Sequence, residues 1–384
     1  MKMKKVLSVA ISAAMVAGCF GTVASAEEEL TWKIGVIGPM TGDYAQYGLG
    51  VYQAAQIAAD EINADGGING YQVEILDAGD DQGDAEQSVN AYNNLLDQGM
   101  QLLCGTVTSG ACIAVSAEAY ASTFLLTPSA TALEAINGAD AYQFRMCFTD
   151  PMQGTVAAQQ IEELGLATTV AILYDSAADY NVGIHDAFVE AAADLSFEIV
   201  EDQAYTTDSN TDFSVQLTKI QESGAELVFL PNYYSDNALI FQQAADMGLD
   251  VVWFGVDGMD GILEVENFDT SLAEGVMMLC SFSATATDDL TVSFVEAYEA
   301  AYDAVPNQFA ADGYDVIYSM KAAIEDAGAT PDMSNEDLAA AVSASMQNIT
   351  VDKLTGASSW TEDGECTKEP KVYKIVDGAY EIVE

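Results

Sequence analysis

Short apolar runs alternate with amphipathic helical stretches along nearly all of this chain, and that alternation leaves few folds open to it. Residues 33–37 read as a strand, and the glycines and Pro39 after them as a turn. From 47 to 63, Val51, Ala55, Ala58 and Ile62 recur at helical spacing. Asp65-Gly66-Gly67 then ends the helix, because glycine accepts the left-handed backbone a helix stop needs. Further strands are predicted at 73–77, 102–105 and 124–127, with a helix over 84–98. This βαβα order is that of a parallel sheet covered on both faces.

The rhythm restarts after about Pro151. Strands are expected at 170–174, 198–205, 227–231 and 251–254, and helices near 183–193, 213–223 and 236–247. Past Gly275 come three mostly helical segments, 290–304, 310–327 and 336–346. A hairpin, 371–376 and 379–383, closes the chain and turns at Asp377-Gly378. At 384 residues the chain exceeds what one core usually supports. No low-complexity linker divides it, so the two α/β halves are expected to be joined by several crossing strands.

Lys+Arg number 11 against Asp+Glu 61, a formal charge of −50. Such a field repels phosphate backbones and anionic head groups, which excludes nucleic acid as a partner. Lys2, Lys4 and Lys5 precede an apolar run, 6–18, too short to span a bilayer. Residues 1–26 therefore read as a signal peptide with two competing exits. Val16-Ala17-Gly18-Cys19 resembles a lipobox, after which Cys19 would carry lipid; Ala24-Ser25-Ala26 resembles an ordinary cleavage site. Both place the protein outside the cytoplasm, periplasmic or at the cell surface.

The run KIGVIGPMTGDYAQYGLG, with the following helix closing in EINADGGINGYQVEI, resembles the opening of type I periplasmic binding proteins of the leucine/isoleucine/valine class. The likeness continues through LLCGTVTSGACIAVS, LLTPSATA, FRMCFTDPMQG, LVFLPNYYSDNALIFQQAADMGL and WFGVDG. It implies an α/β fold of two Rossmann-like lobes with parallel sheets, joined by three hinge crossovers. On that template 27–147 with 281–356 form the first lobe, and 148–280 with 357–384 the second. It also implies a solute-binding component of an ABC importer, holding a free amino acid, branched-chain by default, and handing it to permease subunits in the membrane. A sensory module using the same clamp for amino acids or amides is the alternative. Such receptors continue into a spanning or DNA-binding segment, whereas this sequence stops at Glu384.

In parallel α/β sheets, ligands sit beyond the carboxyl ends of strands, where helix N-termini present unpaired amides. Thr108-Ser109-Gly110-Ala111 and Pro128-Ser129-Ala130-Thr131 follow predicted strands and are each expected to open a helix, a cradle for a ligand carboxylate. By resemblance Ser109, Ala130 and Thr131 hold the amino acid backbone, the Ala130 carbonyl accepting from the ammonium. The plainer alternative is two well-capped helix starts. Tyr180, Tyr233 and Asp257 fall where the family places its second-lobe contacts, with Asp257 as partner of the ammonium where many relatives carry Glu. Asp-Gly also favours turns, so Asp257 has a turn reading too. Tyr47 matches an aromatic lining the side-chain pocket, and is otherwise a half-buried surface tyrosine.

Catalysis finds little support. His185 is the only histidine, no G-x-S-x-G elbow exists, and no glycine pattern of the dinucleotide or P-loop type occurs. No cofactor is expected. The acidic loop 77–84 lacks the ligand order of a calcium loop, and Asp84 is expected near a helix start. Arg145 is expected to pair with acidic neighbours and not to touch ligand. Five cysteines follow Ala26, an odd number with no C-x-x-C. Cys147 and Cys280 lie on two expected crossovers, either as a hinge disulfide or as buried thiols.

Overall fold

A computed structural model describes residues 30–383. The expected signal peptide, with Cys19, lies outside the described residues. The first sheet holds β1 (Thr31–Gly38), β2 (Gln72–Ile75), the two-residue β3 (Gly79–Asp80), β4 (Leu102–Cys104), β5 (Phe124–Thr127) and β6 (Gln143–Arg145). Its order is β2-β1-β4-β5-β6 with β3 on β1, and every pairing is parallel. Helices α1 (Ala45–Ala64), α2 (Ala85–Asp97) and α3 (Ser109–Glu118) connect these strands.

The second sheet begins after α4 (Asp150–Glu163) with β7 (Thr169–Asp175), β8 (Glu198–Tyr205), β9 (Leu227–Leu230), β10 (Val252–Gly255) and β11 (Met277–Cys280). Between them lie α5 (Asp179–Ala192), α6 (Ser214–Ser223) and α7 (Tyr234–Met247). After α8 (Asp289–Tyr302), α9 (Gln308–Ala327), α10 (Asn335–Met346) and the small pair β12 (Val351–Lys353) and β13 (Gly356–Ser358), the chain returns to it. It adds β14 (Lys371–Val376) and β15 (Ala379–Ile382) antiparallel at the edge, in the order β15-β14-β11-β10-β9-β7-β8. The chain thus passes between the sheets three times. Strands β5 and β9 are buried at every residue, as a sheet covered on both faces requires.

Four segments differ from the sequence reading. The expected helix after β5 is only a 3-10 turn, Leu133–Ala135, because the chain turns away at Gly138, whose positive φ of 81° suits glycine. Residues 277–280, read as a crossover, are a strand inside the second sheet. The α4 helix was not anticipated. The stretch 358–368, placed with the second lobe, hydrogen-bonds instead to the first half: Trp360 Nε1 donates to the Arg145 carbonyl at 2.8 Å, and Lys368 Nζ pairs with Asp312 at 3.2 Å. Both partners of that ion pair are buried, so the segment is held by polar contacts an apolar pattern does not display.

All five described cysteines are free and buried, which overturns the hinge-disulfide alternative. The Cys147 thiol turns toward the Ala130 carbonyl at 3.5 Å and the Cys280 thiol toward the Phe282 carbonyl at 3.0 Å, each to a local acceptor. His185 is a packing residue. It stacks on Tyr174 at 3.9 Å and sits between Asp186 and Asp202 at 2.8 and 3.0 Å. Asp84 caps α2, accepting from the Gln87 amide at 2.9 Å. Among the described residues no helix is long and apolar enough to cross a membrane.

The two longest helices, α1 and α9, pack through a glycine. A Cβ on Gly313 would lie 2.8 Å from the Val51 Cα and carbonyl oxygen, backbone that yields little. Gly313→Ala is therefore expected to destabilise the fold by about 1–3 kcal/mol despite the better helix propensity of alanine. Chemical denaturation would measure it, and an unchanged or raised midpoint would rule out the close approach.

Candidate functional site

The two halves meet at a cluster of tyrosines beyond the carboxyl ends of the strands. Tyr180 stacks on Tyr233 with centroids 4.5 Å apart and planes 7° from parallel. Tyr47, from the first turn of α1, packs on Phe309 at 4.1 Å and edge-on to Tyr233 at 5.8 Å. The faces are held by hydrogen bonds as well. The Tyr47 hydroxyl donates to the Gly258 carbonyl at 2.5 Å, and Gln308 Nε2 donates to the Asp257 carbonyl at 2.8 Å. What remains between them is a cavity of about 10 Å³, room for about one water. A ligand of amino acid size enters only if the halves separate.

Five of the seven residues expected at the site, Tyr47, Ser109, Tyr180, Tyr233 and Asp257, line this cavity. Ala130 and Thr131 are fully buried and do not. The Ala130 carbonyl is not free for an ammonium, since Arg145 Nη1 donates to it at 2.9 Å. Arg145 also donates to the carbonyls of Ala132 and Leu133 at 2.9 and 3.3 Å, and its Nε lies 3.0 Å from Glu365. This wholly buried guanidinium holds the 130–133 loop and does not line the cavity; it pairs with an acid, though with the sequence-distant Glu365 and not with an acidic neighbour.

The amino end of α3 is open toward the cavity. Thr108 occupies the N-cap position, yet its side chain makes no capping bond and its hydroxyl has no partner although buried. The Ser109 amide faces the Tyr233 hydroxyl. The Ser109 hydroxyl instead accepts from the Ala132 amide at 3.2 Å, tying the two loops of the first sheet together. Apart from the Ser109 amide, which meets the Tyr233 hydroxyl, the first turn of α3 has no side-chain cap, and the helix dipole there favours an anion.

Opposite stands Asp257, buried on the turn after β10. Its carboxylate accepts from the Tyr180 hydroxyl at 2.5 Å, and its amide donates to Gln153 Oε1 at 3.0 Å. Burial pushes this carboxyl up to about 6, against the lowering effect of side-chain hydrogen bonds from the Tyr180 hydroxyl and the Gln153 side-chain amide. An ion pair with a ligand cation would hold it charged. The cavity thus has an anion cradle at one end and a buried carboxylate at the other. Among the described residues no cluster of His, Cys, Asp or Glu suits a metal ion.

Val107, Thr108, Ser129, Gly258 and Phe309 complete the lining; Thr108 and Ser129 belong to the two segments read as a carboxylate cradle, whereas Val107, Gly258 and Phe309 were not singled out. Gly258 adjoins Asp257, and Val107 adjoins the first of those segments, so their neighbours were the signal. Phe309 reaches the cavity from the start of α9, more than 250 residues along the chain from Tyr47, with nothing in its local sequence to announce it.

A family model described as periplasmic binding protein matches residues 31–379. The chain is 32% identical over 339 residues to the Leu/Ile/Val-binding protein BraC3 of Rhizobium johnstonii, covering 88% of this chain and 89% of that one. It is 29% identical to the leucine-, isoleucine-, valine-, threonine-, and alanine-binding protein of Pseudomonas aeruginosa, covering 85% and 87%. The fold superposes with a TM-score of 0.80 and 30% identity on the branched-chain amino acid transporter substrate-binding protein LivJ of Streptococcus pneumoniae in complex with isoleucine, over 92% of this chain and 99% of that one.

Proposed function

The chain belongs to the periplasmic binding protein family, and on that premise we propose that it is the exported solute-binding component of an ABC importer, a two-lobed clamp for a free α-amino acid. One observation carries this reading: the uncapped amides of α3 and the buried Asp257 carboxylate face the same cavity. That pairing is complementary to a zwitterion. A carboxylate seats on the helix terminus and an ammonium meets Asp257, while Tyr180 and Tyr233 close over the ligand. Ser109 belongs to the carboxylate cradle; Thr131 and Ala130 act from beneath, by shaping the loop that supports it. Tyr47 walls the side-chain end.

Closure is favoured because the ligand touches both halves only when they meet, so binding shifts the population toward the closed form. Permease subunits would read that closed form. The relatives' names make leucine, isoleucine and valine the first ligands to try. A thermal-shift panel on residues 27–384 with each common amino acid at millimolar concentration tests the proposal. A ligand at a thousand times its Kd is expected to add about 4 kcal/mol, a rise of several degrees or more. No shift with any amino acid would end the amino acid reading.

A further inference from the structure

The amino end of α9 carries a residue that belongs to one half by its backbone and to the other by its bonds. Helix α9 packs on α1, and Asn307 fastens its start there: Nδ2 donates to the Gln46 carbonyl at 3.1 Å, while Oδ1 accepts from the Ala310 amide at 2.9 Å. The next residue, Gln308, turns the other way. Its Nε2 donates to the Asp257 carbonyl at 2.8 Å, on the turn after β10. Its Oε1 accepts from the Ser281 amide at 3.1 Å, where the chain leaves β11. Its own amide, the first of the helix, donates to Asp260 Oδ2 at 2.6 Å. The Tyr380 hydroxyl bonds to the same carboxylate and holds it in place. Gln308 and Asp260 are 2% and 1% exposed, so these bonds form away from water.

These contacts bear on the cleft without entering it. Gln308 does not line the cavity, whereas its partner Asp257 and its neighbour Phe309 do. The Asp257 peptide is gripped from two helices: Gln153 of α4 takes its amide at 3.0 Å, and Gln308 takes its carbonyl. Gln153 belongs to the second half, since α4 packs closely on α5, so its bond survives when the halves part. Gln308 comes from the first half, and its bonds do not. A glutamine that only satisfied a buried helix start would bond within its own half, as Asn307 does. Among the described residues, neither the side chain nor the amide of Gln308 bonds to the first half. The Asp260 carboxylate also meets the positive end of the α9 dipole, an attraction across the seam that water weakens once the halves separate.

We infer that Gln308 is a positioning residue of the clamp: it ties the Asp257 turn to the first half when the halves meet, and it slows the release of every bound amino acid by the same factor while touching none. The inference rests on the amino acid clamp proposed above and concerns how that same site is held shut. A bound solute leaves only after the halves part, and parting breaks the bonds of Gln308 to Asp257 and of its amide to Asp260, whatever the solute's side chain. Removing the side chain also leaves the Ser281 amide without its partner in the closed form, which destabilises that form relative to the open one.

Release rates test this directly. Stopped-flow fluorescence follows the dissociation of leucine and valine, or of the two amino acids of the panel that bind most tightly. In Gln308→Met, which keeps the volume, release is expected to quicken roughly tenfold for both, with their ratio unchanged within about twofold. Asp260→Asn keeps the shape and weakens the acceptor, so it is expected to quicken both by a smaller common factor; it carries the test alone if Gln308→Met does not fold. Thermal unfolding of each variant is the control, because a merely structural role lowers the melting temperature without a common acceleration of release. Release unchanged in the folded variants, or quickened for one amino acid alone, would overturn the inference while leaving the clamp. Failure of every amino acid to bind would remove the clamp reading, and this inference with it.

Discussion

Asp257→Ala is expected to weaken amino acid binding by about 2–5 kcal/mol, roughly thirty-fold to several thousand-fold. The carboxylate sits in a closed, buried cleft, where the ligand ammonium would have no water to replace a lost partner. Asp257→Asn keeps a group able to meet the Tyr180 hydroxyl and preserves the shape of the turn, so its loss of affinity isolates the charge. Titration calorimetry of both variants with the best wild-type ligand is the measurement. Binding within threefold of wild type in Asp257→Asn would mean that the ammonium is held elsewhere.

The same carboxyl sets a pH dependence. Burial raises Asp257 to about 6 in the closed cleft, so closing without a cation takes up a proton between the ordinary carboxylate range and pH 6. That contribution favours the closed, ligand-free form in acid and is lost as pH rises through 6. A ligand ammonium needs the ionised form and must displace the proton. Affinity is therefore expected to weaken as pH falls below about 6, by up to tenfold per unit for one proton, and to be flat above it. In Asp257→Asn this slope is expected to vanish, which separates it from titration of the ligand's own carboxylate.

Much of this fold was legible because its strands are continuous apolar runs. Residues 124–127 and 227–230 carry their burial in their composition, and the helices over 45–64 and 308–327 repeat apolar residues at helical spacing. What escaped reading is polar but buried. The strand Gln143–Arg145 looks like surface sequence; it is interior because Gln143 Nε2 donates to the Ser116 carbonyl at 2.6 Å and Arg145 to three others. Apart from the polar Asp150 and Gln153, helix α4 buries only small residues and one isoleucine, Gly154, Ala157, Ala158 and Ile161, too faint an apolar stripe to separate from a loop. The site divides the same way. Ser109 and Asp257 stand just after strands, where topology alone puts ligand contacts, while Phe309 arrives from a helix start that only tertiary packing brings near.

Arg145→Met is expected to be the most damaging single change to stability in the first half, about 3–5 kcal/mol. Methionine fills much of the volume, so the loss reads the guanidinium's bonds more than a cavity. Without them the carbonyls of Ala130, Ala132 and Leu133 stay buried and lose a charged donor. Glu365→Gln is expected to cost about 1 kcal/mol or less, since that side chain is 31% exposed and the glutamine amide oxygen can still accept from Arg145 Nε. The contrast between the two, by denaturant midpoint, is the check; equal effects would assign the stabilisation to the ion pair alone. The backbone of Arg145 is engaged too: its amide donates to the Gly364 carbonyl at 3.1 Å and its own carbonyl accepts from Trp360. One residue thus fastens the returning segment 358–368 to the last strand before the first crossover, and its side chain fastens the loop that carries Thr131 beneath the cradle. Arg145→Met is therefore expected to weaken ligand binding as well, through the loop, although no atom of Arg145 lines the cavity.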